Sequence, residues 1–306
     1  MDDSAITKID TIQQYDDLLG VETLHPLVNV IDFSKCTRHL KFNRMMTGFY
    51  TLFLKDVKCG DMIYGRETYD YQEGTVVALA PGQVYGFRKA DPAVTVKPKG
   101  YALVFHPDLL RGTELGRTIR DYSFFSYDVR EALHLSEKER DTYVDCLMKL
   151  NSELEHAIDK HSKKLIIANI ELLLDYCMRY YDRQFITREH VNKDLLAKFE
   201  TYLDEYFRSD KPQTLGLPTV AACAKELCLS PNYFGDLIRK ETGTTAQEHI
   251  QLKLMDIAKE RVFDTTKSVS EIAYGLGFAY PQHFTRLFKK RTGYTPNAYR
   301  TLNNIR

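Results

Sequence analysis

The chain has no net charge, because 42 Lys+Arg balance 42 Asp+Glu. Any surface for a polyanion must therefore be local rather than molecule-wide. Nor is there an apolar run able to cross a bilayer. The longest, LIIANIELLLDYC at 165–177, is broken by Asn169, Glu171 and Asp175, and no membrane partner is expected. The six cysteines (36, 59, 146, 177, 223 and 228) form no CxxC pair and no zinc-type Cys/His spacing. That predicts free thiols in a reducing cytosol. His25, His39 and His106 stand apart from one another and are expected to be structural or surface residues, so no metal site is predicted. No GxSxG, Walker or GxGxxG stretch occurs, and no catalytic pair has usable spacing. Neither a cofactor nor an enzymatic activity is expected. The opening MDDSAITKID is acidic and polar, unlike a secretory leader, which predicts a cytoplasmic location.

What is present divides by texture. The 306 residues suffice for two ordinary domains. Between about 21 and 105, short β-rich runs (LVNVIDF, FYTLFL, TVVALA, AVTV, YALVF) are separated by turn signals, among them Glu73-Gly74, Pro81-Gly82 and Asp91-Pro92. Many short strands with regular turns predict an all-β barrel or jelly roll. From 107 onward the texture is helical. Ser136 and Glu139 are placed for a capping box. Tyr143, Leu147, Leu150, Leu154 and Ile158 then recur at helical spacing, and Ile166, Ile170, Leu173, Leu174, Cys177 and Tyr181 share one face of a second helix. These two helices either cover the barrel or pair with a second subunit. Polar linkers are predicted at 183–193 and 209–218, with a helix through Leu195, Phe199, Leu203 and Phe207 between them. The fold class is α+β, with an N-terminal domain over 1–183 (strands about 21–105, helices about 136–182) and an all-α domain over 194–306.

The strongest signal is a helix written twice. PNYFGDLIRKETGTT at 231–245 and PQHFTRLFKKRTGYT at 281–295 share seven of fifteen positions at a shift of 50. Such self-similarity indicates one structural unit used twice. Pro231 and Pro281 suit a first helical turn, Gly243 and Gly293 a left-handed stop, and Phe234, Leu237, Ile238 against Phe284, Leu287, Phe288 an apolar stripe. A short helix precedes each copy, with Val220, Ala224 and Leu227 matching Val269, Ala273 and Leu276 at a shift of 49. The second turn, GFAY, is one residue longer. Residues 251–306 hold ten Lys+Arg and four Asp+Glu, a net +6. Short helix, tight turn and longer helix with a basic end form the helix-turn-helix layout, whose second helix enters the DNA major groove. The face left outside the stripe shows Asn232, Gly235, Asp236 and Arg239 in the first copy, and Gln282, His283, Arg286 and Lys289 in the second. Asn and Gln bond adenine edges and Arg forks onto guanine. Lys240, Lys289, Lys290 and Arg291, at the helix ends, suit phosphates.

At this point residues about 195–301 resemble the DNA-binding domain of AraC/XylS-type transcriptional regulators. The carrying residues are Ile272-Ala273, Gly277-Phe278, Phe284-Thr285-Arg286, Phe288-Lys289-Lys290, Gly293, Thr295-Pro296 and Tyr299-Arg300. The resemblance implies seven helices, with recognition helices at about 231–242 and 280–292 reading successive major grooves of promoter DNA. It carries base-contact positions onto Asn232, Gly235, Asp236, Pro281, Gln282 and Arg286. Gln282-His283 stands where the family often has Ser-Tyr, and Asp236 where it often has a basic residue. Asp236 either accepts from a cytosine amine or pairs with Arg239 or Lys240.

The N-terminal domain is similar to the family's cupin-like effector and dimerisation domain, with Glu73 to Gly82 as a strand and Pro-Gly corner. The HxH…E cluster of metal-binding cupins is missing. Tyr50, Tyr64, Tyr69, Tyr71, Tyr85 and Tyr101, with Arg66 and Arg88, either line a pocket or pack the barrel. The expected partners are double-stranded promoter DNA, RNA polymerase, a small-molecule effector that the sequence does not identify, and a second copy of the chain. A bacterial activator is the expected role.

Overall fold

The computed structural model describes residues 6–38, 44–55, 61–64, 67–69, 74–88, 99–128, 131–187 and 189–303. The chain forms two compact units, Met1–Thr187 and Arg188–Arg306.

Among the described residues the first unit has ten strands: β1 (Thr7–Ile9), β2 (Val28–Asp32), β3 (Met45–Thr47), β4 (Tyr50–Lys55), β5 (Asp61–Tyr64), β6 (Glu67–Tyr69), β7 (Thr75–Leu79), β8 (Val84–Arg88), β9 (Gly100–Phe105) and β10 (Leu133–His134). They pair in two five-stranded sheets, ordered β1-β3-β8-β5-β6 and β10-β7-β4-β9-β2. Among the described residues no pairing joins the sheets, so the predicted barrel is not closed. The predicted run AVTV and the turn Asp91-Pro92 lie outside the described residues, as does Glu73.

Side-chain alternation explains the layering. Phe53, Val77, Leu79, Ala102, Val104 and Ile31 of the second sheet join Met45 and Tyr85 of the first in one core. Helix α1 (Ile12–Leu19) contributes Ile12, Tyr15 and Leu19 to it. The alternate residues of the second sheet, Leu52, Leu54, Leu103 and Phe105, are also buried. Over that face Phe125 lies 4.9 Å from the Tyr50 ring and 6.4 Å from Phe105, and Phe124 stacks on Tyr181 at 5.5 Å.

Two short helices, α2 (Pro107–Leu110) and α3 (Glu114–Thr118), precede the long α4 (Glu137–Glu155) and α5 (Ser162–Thr187). Near its end α5 grips the sheet edge. Gln184 Oε1 accepts the His134 N–H at 2.8 Å and its amide donates to Ala132 O at 3.1 Å, completing β10. Arg183 forks onto Glu139 at 3.0 and 2.8 Å. Burial works against the Glu139 charge, but the Ser136 N–H and Arg183 outweigh it and hold the carboxyl below its ordinary value. The helices thus cover the sheet, while Met148 on α4 and Leu165 and Leu172 on α5 remain exposed.

Among the described residues the second unit has helices and no strand: α6 (Glu189–Arg208), α7 (Lys211–Leu215), α8 (Val220–Glu226), α9 (Pro231–Thr242), α10 (Ala246–Val262), α11 (Val269–Gly275), α12 (Pro281–Thr292) and α13 (Pro296–Asn303). The first predicted linker, 183–193, is helical up to Thr187 and again from Glu189. The second, 209–218, contains the single-turn α7, which makes eight described helices where the resemblance implied seven. Among the described residues no helix is long and apolar enough to cross a membrane.

Candidate nucleic-acid interface

The two helix-turn-helix units are built from the same local devices. Thr219 Oγ1 accepts the Ala222 N–H at 3.1 Å to start α8, and Ser268 takes the Glu271 N–H at 3.1 Å to start α11. Ala224 and Ala273 are fully buried, where any larger side chain would push the paired helices apart. Both first helices close with the same reach of a backbone N–H, Leu229 to Ala224 O at 2.9 Å and Phe278 to Ala273 O at 3.0 Å. That closure needs a left-handed residue. Gly277 supplies it at φ 93°; in the first copy Cys228 takes the same role at φ 56°.

The second helices share an ending as well. Thr242 donates to Ile238 O and Thr292 to Phe288 O, each at 2.8 Å, while each hydroxyl accepts the N–H two residues on. Gly243 and Gly293 follow at φ 72° and 82°. Thr245 and Thr295 then cap α10 and α13. The repeated Thr-Gly-x-Thr therefore stops one helix and starts the next. Phe234, Leu237, Ile238, Phe284 and Phe288 are fully buried, whereas Leu287 is only half-buried.

This frame leaves one face of each second helix outside. Asn232, Arg239, Gln282, His283 and Arg286 are exposed, and so are Lys240, Lys289, Lys290 and Arg291. Gly235, Asp236 and Pro281 are half-buried. Apart from Arg291, the predicted residues thus lie on one side of each second helix, opposite its apolar stripe, most of them exposed. Arg291 also donates to Gln251 Oε1 on α10 at 2.8 Å, so it braces α12 as well as facing solvent. The units differ in charge. Lys225, Arg239 and Lys240 offset Glu226, Asp236 and Glu241 in 219–243, whereas 268–293 carries Arg286, Lys289, Lys290 and Arg291 against Glu271 alone, a net +3.

Sequence reasoning missed Tyr280. It is 59% exposed at the N-cap of α12, where the first copy has the capping Ser230, and its ring meets His283 edge-on at 5.5 Å; an aromatic in place of a capping serine is the signal that could have found it. Reasoning from charge also counted two arginines of the basic end that serve the fold. Arg300 donates to the carbonyls of Val262, Asp264 and Lys267. Arg261 donates to those of Gly275 and Phe207, and its burial lowers the guanidinium from its ordinary value.

In the first unit, His106 accepts the Asp108 N–H at 3.2 Å and starts α2, and His25 accepts the Leu27 N–H at 3.1 Å. His39, Cys59, Arg66 and Tyr71 lie outside the described residues, as do the side chains of Tyr64, Tyr69 and Arg88. Among the described residues no three His, Cys, Asp or Glu side chains gather as a metal would require. Tyr85 is buried in the core between the sheets, and Tyr50 and Tyr101 are half-buried.

Residues 223–301 match the sequence family described as a helix-turn-helix domain. The Transposon Tn10 TetD protein of Escherichia coli is 34% identical over 143 residues, which are 47% of this chain and 91% of that protein. The chain belongs to the AraC family of helix-turn-helix transcriptional regulators. The HTH-type transcriptional regulator YijO of Escherichia coli is 27% identical over 154 residues, half of this chain and half of that one. A bifunctional transcriptional activator and DNA repair enzyme of Bacillus subtilis, AdaA, is 31% identical over 34% of this chain and 47% of its own. The chain spans half or less of the length of the curated relatives it first matches. Among solved structures, the C-terminal domain of AraT, a response regulator from Geobacillus stearothermophilus, is 26% identical over 35% of this chain and 84% of its own, with a TM-score of 0.32.

Proposed function

We propose that this AraC-family member binds specific promoter DNA by laying α9 and α12 in successive major grooves, about one helical turn or roughly 34 Å apart. The observation that carries this reading is the pair of exposed polar faces, Asn232/Arg239 and Gln282/His283/Arg286, on two copies of one frame. Arg286 forks onto a guanine, while Lys240, Lys289, Lys290 and Arg291 hold phosphates. The more basic second unit anchors the complex, and the first adjusts specificity.

Arg286→Ala should cost about 1–3 kcal/mol and relax selectivity at one base pair. Lys290→Ala should weaken all sequences alike and reduce the salt slope by about one charge. Binding curves on a systematically mutated operator separate the two. Identical behaviour of the two variants would remove the base-reading role of Arg286.

The N-terminal unit, in this reading, pairs two copies and carries any effector response, and the assembled regulator recruits RNA polymerase as an activator in the cytoplasm. Exposed Met148, Leu165 and Leu172 on the long helices support pairing through that face. Sedimentation of the full chain as a monomer at micromolar concentration would count against it. A regulator, not an enzyme, is the reading that the curated relatives YijO and YfiF of Bacillus subtilis favour, each being described as an HTH-type transcriptional regulator.

A further inference from the structure

The two helix-turn-helix units are joined by α10, but α10 is not their sole connection. Gly277, in the turn of the second unit, rests directly on the segment that leads into the first. A Cβ at 277 would lie 2.8 Å from the Gly216 carbonyl carbon and 2.9 Å from the Gly216 and Pro212 oxygens, so backbone meets backbone there. Gly216 in turn accepts the Tyr206 hydroxyl of α6 at 2.9 Å. Beside it Arg261, one residue before the end of α10, donates through one nitrogen to Gly275 O at 2.9 Å and through the other to Phe207 O. Gly275 is the last residue of α11, and Phe207 lies in the last turn of α6. Carbonyls at helix ends carry negative partial charge, and a planar guanidinium can address two of them at once. Contact between backbones has no rotamer by which to relax.

We propose that Arg261, with Gly216 and Gly277, is a positioning residue that fixes the distance and rotation between α9 and α12, and so the spacing of the two DNA boxes the protein accepts. The proposal rests on the two-groove reading above. Arg261 touches no phosphate in it; it acts through the two backbones it holds. An inserted base pair moves the second box by about 3.4 Å and turns it by about 35°, which a rigid seam does not follow.

The test uses the full chain and an operator selected from random DNA, with one base pair inserted or removed between the boxes. Wild type is expected to lose about tenfold or more in affinity for each altered spacing. Arg261→Lys keeps the charge but not the fork. Its affinity for the native spacing should stay within about threefold of wild type, its salt slope should be unchanged, and its penalty for the altered spacing should shrink to about threefold. Tyr206→Phe, which loses one hydroxyl bond to Gly216 and leaves the core ring in place, should shrink the penalty in the same direction and keeps the test open if Arg261→Lys unfolds. Undiminished spacing discrimination in folded variants would overturn the positioning role. A wild type indifferent to spacing would instead overturn the two-groove reading, and this proposal with it.

Discussion

At the scale of single residues, Gly235 shows how a position can be read against its cost. It sits in the middle of α9, where glycine destabilises a helix by about 0.5–1 kcal/mol relative to alanine. Nothing lies within 4 Å of where its Cβ would be, so packing within the unit does not require its smallness. Gly235→Ala should therefore raise the thermal stability of the free protein by about that amount, while weakening operator binding if DNA approaches the helix there. Calorimetry of the free variant and a titration with operator DNA give the two readings; a more stable variant with unchanged affinity would take Gly235 out of the interface. Gly277 is the opposite case, since the Gly216 backbone fills the space its Cβ would need.

At the scale of elements, the two helix-turn-helix units do the same job with unequal turns. The first places Cys228 at φ 56° where the second has Gly277. A left-handed residue with a side chain costs about 1 kcal/mol more than glycine. Cys228 is exposed, so its side chain returns little by packing. Cys228→Gly is expected to stabilise the helical unit Arg188–Arg306 by about 1 kcal/mol, less the extra entropy of glycine in the unfolded chain, with DNA affinity unchanged. A denaturant midpoint that fell on substitution would show that the Cys228 side chain contributes something the geometry does not display.

At the scale of the whole molecule, pH acts on the stability of the first unit through a buried carboxyl. The buried Asp16 of α1 accepts from the Thr23 hydroxyl at 2.8 Å and the Asn29 amide at 2.9 Å. Burial pushes its carboxyl up to about 6, the two hydrogen bonds offsetting part of the effect and the nearby Asp17 charge adding to it. Between about pH 4 and 6 the folded state holds this proton and the unfolded state does not. Stability from this group is therefore present below about pH 4 and is lost as pH rises through about 6. Asp16→Asn keeps an acceptor for Thr23 and Asn29 without the charge. Relative to wild type, the variant should gain up to about 3 kcal/mol in the first unit as pH rises from 4 to 7. Parallel stability profiles of the two proteins would show that Asp16 is ionised at ordinary cost.

The sequence by itself determined what depends on neighbours three or four residues away. The apolar stripes, the threonine and serine caps, the left-handed stops and the exposed polar faces of α9 and α12 are relations within one or two helical turns, and the repeat displayed them twice. Helical texture also predicted α4 and α5. Only the tertiary structure decided which basic residues are tied to backbone carbonyls and which stand exposed. Arg261 and Arg286 look alike in a charge count, yet Arg261 binds the carbonyl of Phe207, far away in sequence, and Arg286 stands exposed. The division of the strands into two sheets was decided there too. Strand pairing joins residues as distant as Val28 and Phe105, and no period along the chain records which strand will lie beside which.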